Sequence, residues 1–183
     1  MIDLYFDPAT ERARFVARQA FLARQEALRL DLAEGLTFQP ETAESVEDQI
    51  IETLWAEGKT PDTVDADELA EARASFAVLA PRREGAARSI AATLMLGFPD
   101  AERDRRLAAL HTFPGQLLLE LSDGSLVEPA VDRGTAGPED RLPAVLALRY
   151  LIPDGFSIAA LVSNHAEAPG RWPAPAAWVS WPS

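Results

Sequence analysis

The spacing of apolar residues changes once along this chain, and that change sets its fold class. Up to about residue 80 the apolar residues recur at helical intervals. From about residue 86 they gather into short runs and alternations suited to strands. Helices first and strands later specify an α+β fold. We expect N-terminal helices packed on a mainly antiparallel sheet with one inserted helix, in a single domain over 1–183. The helical half covers about 1–80 and the sheet-rich half about 86–183. Apolar residues make up 48% of the chain, enough to fill such a core.

Local signals place the elements. Asp7-Pro8 opens a first helix that runs to about Arg29, because aspartate can cap and proline at the first position loses no hydrogen bond. Phe15, Leu22 and Arg29 form one heptad row and Phe21 and Leu28 another, so the apolar stripe is broad and meets two neighbours. Leu28 to Leu32 then alternates, ahead of Glu34-Gly35 and Leu36-Thr37-Phe38. This fits either a short hairpin or a helix end followed by one extended segment. Thr42 to about Glu57 reads as a second helix with Val46, Ile50, Ile51, Leu54 and Trp55 on one face and Gly58 closing it. Asp65 to Leu79 reads as a third, and Pro81 to Gly85 as the loop between the halves.

Beyond that loop, Ile90 to Phe98 reads as a buried strand, and Asp100 as the cap of a helix reaching about Leu110. Gln116 to Leu121 is the next strand, turned by Asp123-Gly124 so that Leu126 to Val131 pairs back. A loop covers Asp132 to Arg141, followed by strands over Ala144 to Ile152 and Ile158 to Ser163. Arg171 to Pro175 reads as an extended, polyproline-like tail before an apolar stretch from Ala176 to Trp181.

Composition narrows the chemistry. There is no cysteine, so a thiolate nucleophile, a cysteine-ligated metal and a disulfide are impossible. Lys59 is the only lysine and hence the only Schiff-base candidate. A formal charge of −12 repels phosphate backbones and anionic lipid, which argues against nucleic acid and membrane as partners. The N-terminus lacks the basic and apolar regions of a signal peptide, so a cytoplasmic protein is expected. There is no Gly-x-Ser-x-Gly, and the Gly134-x-x-Gly137 loop has no lysine with which to cradle a phosphate.

Several side chains stand out against their surroundings. Glu47 falls inside the apolar arc of the second helix, where an unpaired carboxylate is costly. It must reach the rim, meet an arginine or hold a shifted pKa. Glu44, Asp48 and Glu52 form a row at i, i+4 and i+8 on the neighbouring face, either a solvated face or, with His165, a set of metal ligands. Arg149 lies mid-strand on the face of Val145, Ala147 and Leu151, and such a guanidinium either meets a carboxylate, for which Glu52 and Glu47 are the candidates, or points to solvent on an open sheet face. His165 follows a strand and His111 a helix, and neither has metal-ligand spacing. Trp172, Trp178 and Trp181 either close over an open face of the core or form an interface.

Three blocks resemble an uncharacterised bacterial family, domain of unknown function 3501. They are Gln49-Ile50, Glu52, Leu54 and Ala56-Glu57; Ser89 to Phe98 followed by Asp100-Ala101-Glu102-Arg103; and Leu148-Arg149-Tyr150 followed by His165. The chain departs from the family pattern in carrying Phe38-Gln39-Pro40 before the second helix, and in lacking an aromatic shortly after His165. The resemblance implies no established activity and at most a redox-stress setting beside iron-dependent proteins.

These readings lead us to expect a non-catalytic binding or accessory protein, linked to an iron-dependent redox partner or self-associating, with no cofactor. The expected pocket or ion-pair network is Glu47, Gln49, Glu52, Arg149 and His165. A metal-assisted enzyme using the carboxylates of the second helix and His165 is one alternative, and a small-molecule sensor in which Arg149 reads a carboxylate is the other.

Overall fold

The structure, a computed structural model, describes residues 11–59, 63–132, 142–179 and 181. Helix α1 (Glu11–Leu28) leads into a hairpin of β1 (Leu30–Ala33) and β2 (Leu36–Pro40), which resolves the two readings of that segment in favour of the hairpin. The turn needs Gly35. Its φ is +74°, and a Cβ there would stand 2.7 Å from the Phe98 ring. The expected start at Asp7-Pro8 lies outside the described residues. Of the two heptad rows on α1, Phe21 and Leu28 face the core, whereas Leu22 points outward.

Helices α2 (Ala43–Ala56) and α3 (Ala66–Phe76) follow, each opened by a capping box, from Thr42 with Ser45 and from Asp65 with Glu68. Strand β3 (Arg82–Glu84) then pairs with β4 (Ala87–Leu96), so the expected loop over Pro81 to Gly85 is a hairpin instead. A three-residue edge strand rich in charge escapes a hydrophobicity pattern, and that charge is what keeps such an edge from pairing with other chains. Helix α4 (Asp100–Ala109) begins at Asp100 itself, with Pro99 at the cap position and no side-chain cap bond. Asp100 is therefore a first-turn acid, paired with Arg103 at 2.6 Å, and not the cap.

The remaining strands are β5 (Leu117–Leu121), β6 (Leu126–Val127), β7 (Ala130–Asp132), β8 (Val145–Pro153), β9 (Ile158–Ser163) and β10 (Gly170–Pro173). They divide between two antiparallel sheets. The larger has the order β1-β2-β4-β8-β7 with β3 also on β4, and the smaller has the order β10-β9-β5-β6. The expected strand over Leu126 to Val131 is thus split. Leu126–Val127 pairs with β5, and Ala130–Asp132 crosses to β8. Pro129 sits at the break, where it has no N–H to give a ladder. Arg171 to Pro173 is not a free polyproline tail, because Gly170–Pro173 pairs with β9 along its length.

The two sheets share one apolar core. Phe38, Leu94, Leu148 and Tyr150 from the larger meet Leu117, Leu119 and Leu161 from the smaller. Tyr150 ties them together, its hydroxyl donating to the Leu117 carbonyl at 2.8 Å. Burial pushes that phenol well above its ordinary pKa, so it remains a donor. On its outer face the larger sheet carries α2 and α3, which pack on each other through Val46, Ile50, Leu54, Leu69 and Phe76. Among the described residues no helix is long and apolar enough to cross a membrane.

Candidate functional site

The outer face of the larger sheet gathers most of the chain's unusual polar groups. Glu41 links β2 to α2 and is only 2% exposed. Its Oε2 accepts from the Ser45 hydroxyl at 2.6 Å and the Gln49 amide at 2.9 Å, and its Oε1 accepts from the Thr93 hydroxyl at 2.5 Å. The main chain is held as firmly. Glu41 N–H donates to Ala91 O at 2.9 Å, and Glu41 O accepts from the Trp181 indole at 2.9 Å. With three donors and the positive end of α2 beside it, this carboxyl needs no cation. Sequence reasoning picked out Gln49 but not the acid it serves. The available signal was the spacing Glu41, Ser45, Gln49, at i, i+4 and i+8, with Glu41 just ahead of the helix and the other two on its first turns.

The expected network does not assemble. Glu47 does meet an arginine, Arg73 of α3 at 3.2 Å, one of the outcomes its position required. Glu52 pairs with Arg18 and Glu44 with Arg24, both from α1. His165 sits at the end of the smaller sheet, edge-on to Phe113 with ring centroids 5.6 Å apart. Its Nδ1 accepts from the Glu167 N–H at 3.2 Å, so it is a buried structural histidine. The row Glu44, Asp48 and Glu52 therefore faces arginines. Among the described residues no three acids or histidines are grouped so as to hold a metal ion.

Asp48 is the least satisfied member of that row. It is 8% exposed, its Oδ1 accepts no hydrogen bond, and Arg18 approaches only to 3.8 Å. Burial pushes its carboxyl above the ordinary 3.8, with Arg18 opposing and Glu52 and Glu44 adding to the rise. A folded-state pKa above the unfolded one means that the native protein binds this proton more tightly. The contribution of Asp48 to stability therefore falls as pH rises from 3.8 through the raised value, then stays flat. We expect Asp48→Asn to leave Tm at pH 7 unchanged or raised by up to about 3 °C, because Arg18 keeps its ion pair with Glu52. The gain should shrink as pH falls towards 4. A drop of more than about 3 °C at pH 7 in a calorimetric scan contradicts this.

The remaining reactive side chains are also committed. Lys59 is bound by Glu68, whose hydrogen bond raises the lysine pKa, the opposite of what a Schiff-base nucleophile needs. Trp178 and Trp181 are 2% and 1% exposed, so they close the core and are not an exposed interface. Trp172 is half-buried against the same core, its ring lying where a Cβ on Gly170 would stand.

Arg149 is the exception. Register places it on β8 directly between Ala91 of β4 and Ala130 of β7. It is half-buried and lines a cavity of about 210 Å³ with Val78, Ala91, Ala130, Val131, Ala147 and Leu148. The acids expected to meet it are held elsewhere. The other strand arginines all have partners: Arg82 with Glu84, Arg83 with Asp154, Arg88 with the Phe156 carbonyl, and Arg171 in a two-point contact with Glu120 at 2.8 and 3.0 Å. Among the described residues no carboxylate pairs with Arg149. Its field reaches Glu84, whose carboxyl is held below the usual range chiefly by the Arg82 hydrogen bond and more weakly by Arg149.

These features define an α+β protein of two antiparallel sheets in which Arg149, over an aliphatic hollow, has no carboxylate partner among the described residues. The model of a family described as "Protein of unknown function (DUF3501)" matches residues 3–167, and the chain belongs to that family. A crystal structure of a novel protein of unknown function from Burkholderia pseudomallei K96243 is similar, with a TM-score of 0.74 and 19% identity over 99% of this chain and 93% of that one. At that identity the likeness establishes the fold. No curated protein matches the chain.

Proposed function

We propose that this protein is a non-catalytic binding protein and that its ligand carries a carboxylate, held by Arg149. The observation that carries the reading is that Arg149 lies among aliphatic neighbours at the edge of a cavity with no carboxylate partner among the described residues. A guanidinium in such surroundings attracts an anion strongly, because the local dielectric is low and its planar fork matches a carboxylate at two points. The remaining polar groups of the outer face support binding over turnover. Glu41, Glu47 and Glu52 are tied into hydrogen bonds and ion pairs that hold the helices on the sheet.

The reading predicts that sodium salts of small carboxylic acids raise Tm saturably, beyond sodium chloride at equal ionic strength. Arg149→Met should abolish that rise while leaving the unliganded Tm within a few degrees, since no carboxylate among the described residues pairs with the charge it removes. No rise beyond chloride, or the same rise in Arg149→Met, contradicts the reading.

A further inference from the structure

Asp-Gly occurs twice in the chain, at Asp123-Gly124 and at Asp154-Gly155, and both pairs are exposed. We infer that Asp154-Gly155, in the turn from β8 to β9, is a site of spontaneous isoaspartate formation, and that the fold protects Asp123-Gly124 from the same reaction. The chemistry needs only water. The main-chain nitrogen of the glycine attacks the side-chain Cγ of the aspartic acid, and the amide proton leaves with the carboxyl hydroxyl as water. The five-membered succinimide so formed takes up water at either carbonyl. Opening at the original main-chain carbonyl leaves isoaspartate, in which the chain runs through Cβ and Cγ. A following glycine favours the attack because it has no Cβ to shield its nitrogen.

Hydrogen bonding, not exposure, separates the two pairs. Nothing lies within 4 Å of where a Cβ would stand on either glycine, so crowding protects neither. In the first pair the nucleophile is committed, because Gly124 N–H donates to Leu121 O at 2.9 Å. The electrophile is committed as well. Asp123 Oδ1 accepts from the Ser125 hydroxyl at 2.6 Å and from the Ser125 N–H at 3.0 Å. Those two bonds hold the carboxyl below its ordinary range and so in the charged form, the poorer target for attack. In the second pair Gly155 N–H has no acceptor among the described residues. Asp154 N–H donates to Ala86 O at 2.9 Å, and its carboxylate pairs with Arg83. Both members of that ion pair are exposed, and such pairs hold their carboxylates only weakly. Isomerisation adds one atom to the main chain and attaches the carboxylate directly to Cα, which withdraws it from Arg83.

The test ages the full chain at neutral pH and body temperature, folded and in parallel in urea, and digests it with trypsin. Cleavage after Arg106, Arg133, Arg149 and Arg171 puts the two pairs in separate peptides, 107–133 and 150–171. Electron-transfer fragmentation identifies isoaspartate in each. Isomerisation leaves the peptide mass unchanged, whereas deamidation of Asn164 in the second peptide raises it. In the folded chain isoaspartate should accumulate at Asp154 at least about tenfold faster than at Asp123, since the bonds around Asp123 must break before attack. In urea the two rates should converge. Asp154→Glu should leave the 150–171 peptide without the isomer, because the larger ring closes far more slowly. Equal rates in the folded chain, faster reaction at Asp123, an unreactive Asp154, or a gap that persists undiminished in urea would each overturn the inference.

Discussion

Replacing Glu41 with alanine is expected to cost about 3–5 kcal/mol, a large share of the total for a domain of this size. Ser45, Gln49 and Thr93 all donate to this one carboxyl, so its removal leaves three polar groups on the covered face of the sheet without an acceptor. It also empties the space behind the N-terminus of α2, where a negative group offsets the aligned peptide dipoles. Glu41→Gln is a milder probe. It keeps the volume but turns one acceptor into a donor. With its nitrogen toward Thr93, that hydroxyl reverses its role and the remaining oxygen still accepts from Ser45 and Gln49, so the cost is chiefly the lost charge on those bonds. We expect a loss of about 1–3 kcal/mol. Urea midpoints of wild type and both variants check the order. A loss under about 1 kcal/mol for Glu41→Ala would show that the hub does not hold α2 to the sheet.

Trp178→Ala is expected to cost a further 3–5 kcal/mol, by a different route. The indole is buried among Phe38 and Trp181, with ring centroids 5.6 and 4.9 Å away, and its loss opens a cavity that the strands beneath cannot close. Its N–H also donates at 2.7 Å to the carbonyl of Leu28, one of the groups that the end of α1 leaves without a helical partner. Trp178→Phe separates the two contributions. It keeps an aromatic ring and removes the donor, for an expected loss of about 1–2 kcal/mol. Equal losses in both variants would place the whole effect in the hydrogen bond and contradict the packing argument.

Much of this fold is legible from local rules. Thr42 with Ser45 and Asp65 with Glu68 open helices because their side chains satisfy free N–H groups within three residues. The Asp123-Gly124 turn closes β5 onto β6 because Gly124 adopts a φ of +83°. Such signals carry their own cause. The misreadings share a physical origin, since each depends on a partner distant in sequence. β3 is a strand only because Ser89 to Ala87 lie opposite it, and Gly170–Pro173 is a strand only because β9 lies alongside. Leu126 to Val131 divides because the two sheets compete for it.

The site follows the same rule. Alternation along β8 places Arg149 correctly on the face of Val145 and Leu151, but it says nothing about what crosses above. The turn after α3 presents Val78 there, while Glu47 and Glu52 turn to Arg73 and Arg18. Glu41 was hidden for a related reason. Beside Pro40 and Thr42 it reads as an ordinary acid at a helix start, and Thr93, which buries it, comes from a strand more than fifty residues away.

The guanidinium of Arg149 is where this account can be tested most directly. A two-dimensional ¹H–¹⁵N spectrum of the arginine Nε–Hε groups should be followed as sodium butyrate is added against a chloride reference. Binding at this site predicts that the Arg149 signal shifts and saturates while that of Arg171, already held by Glu120, stays in place. An Arg149 signal that does not move, or arginine signals that all drift together with salt, would contradict it.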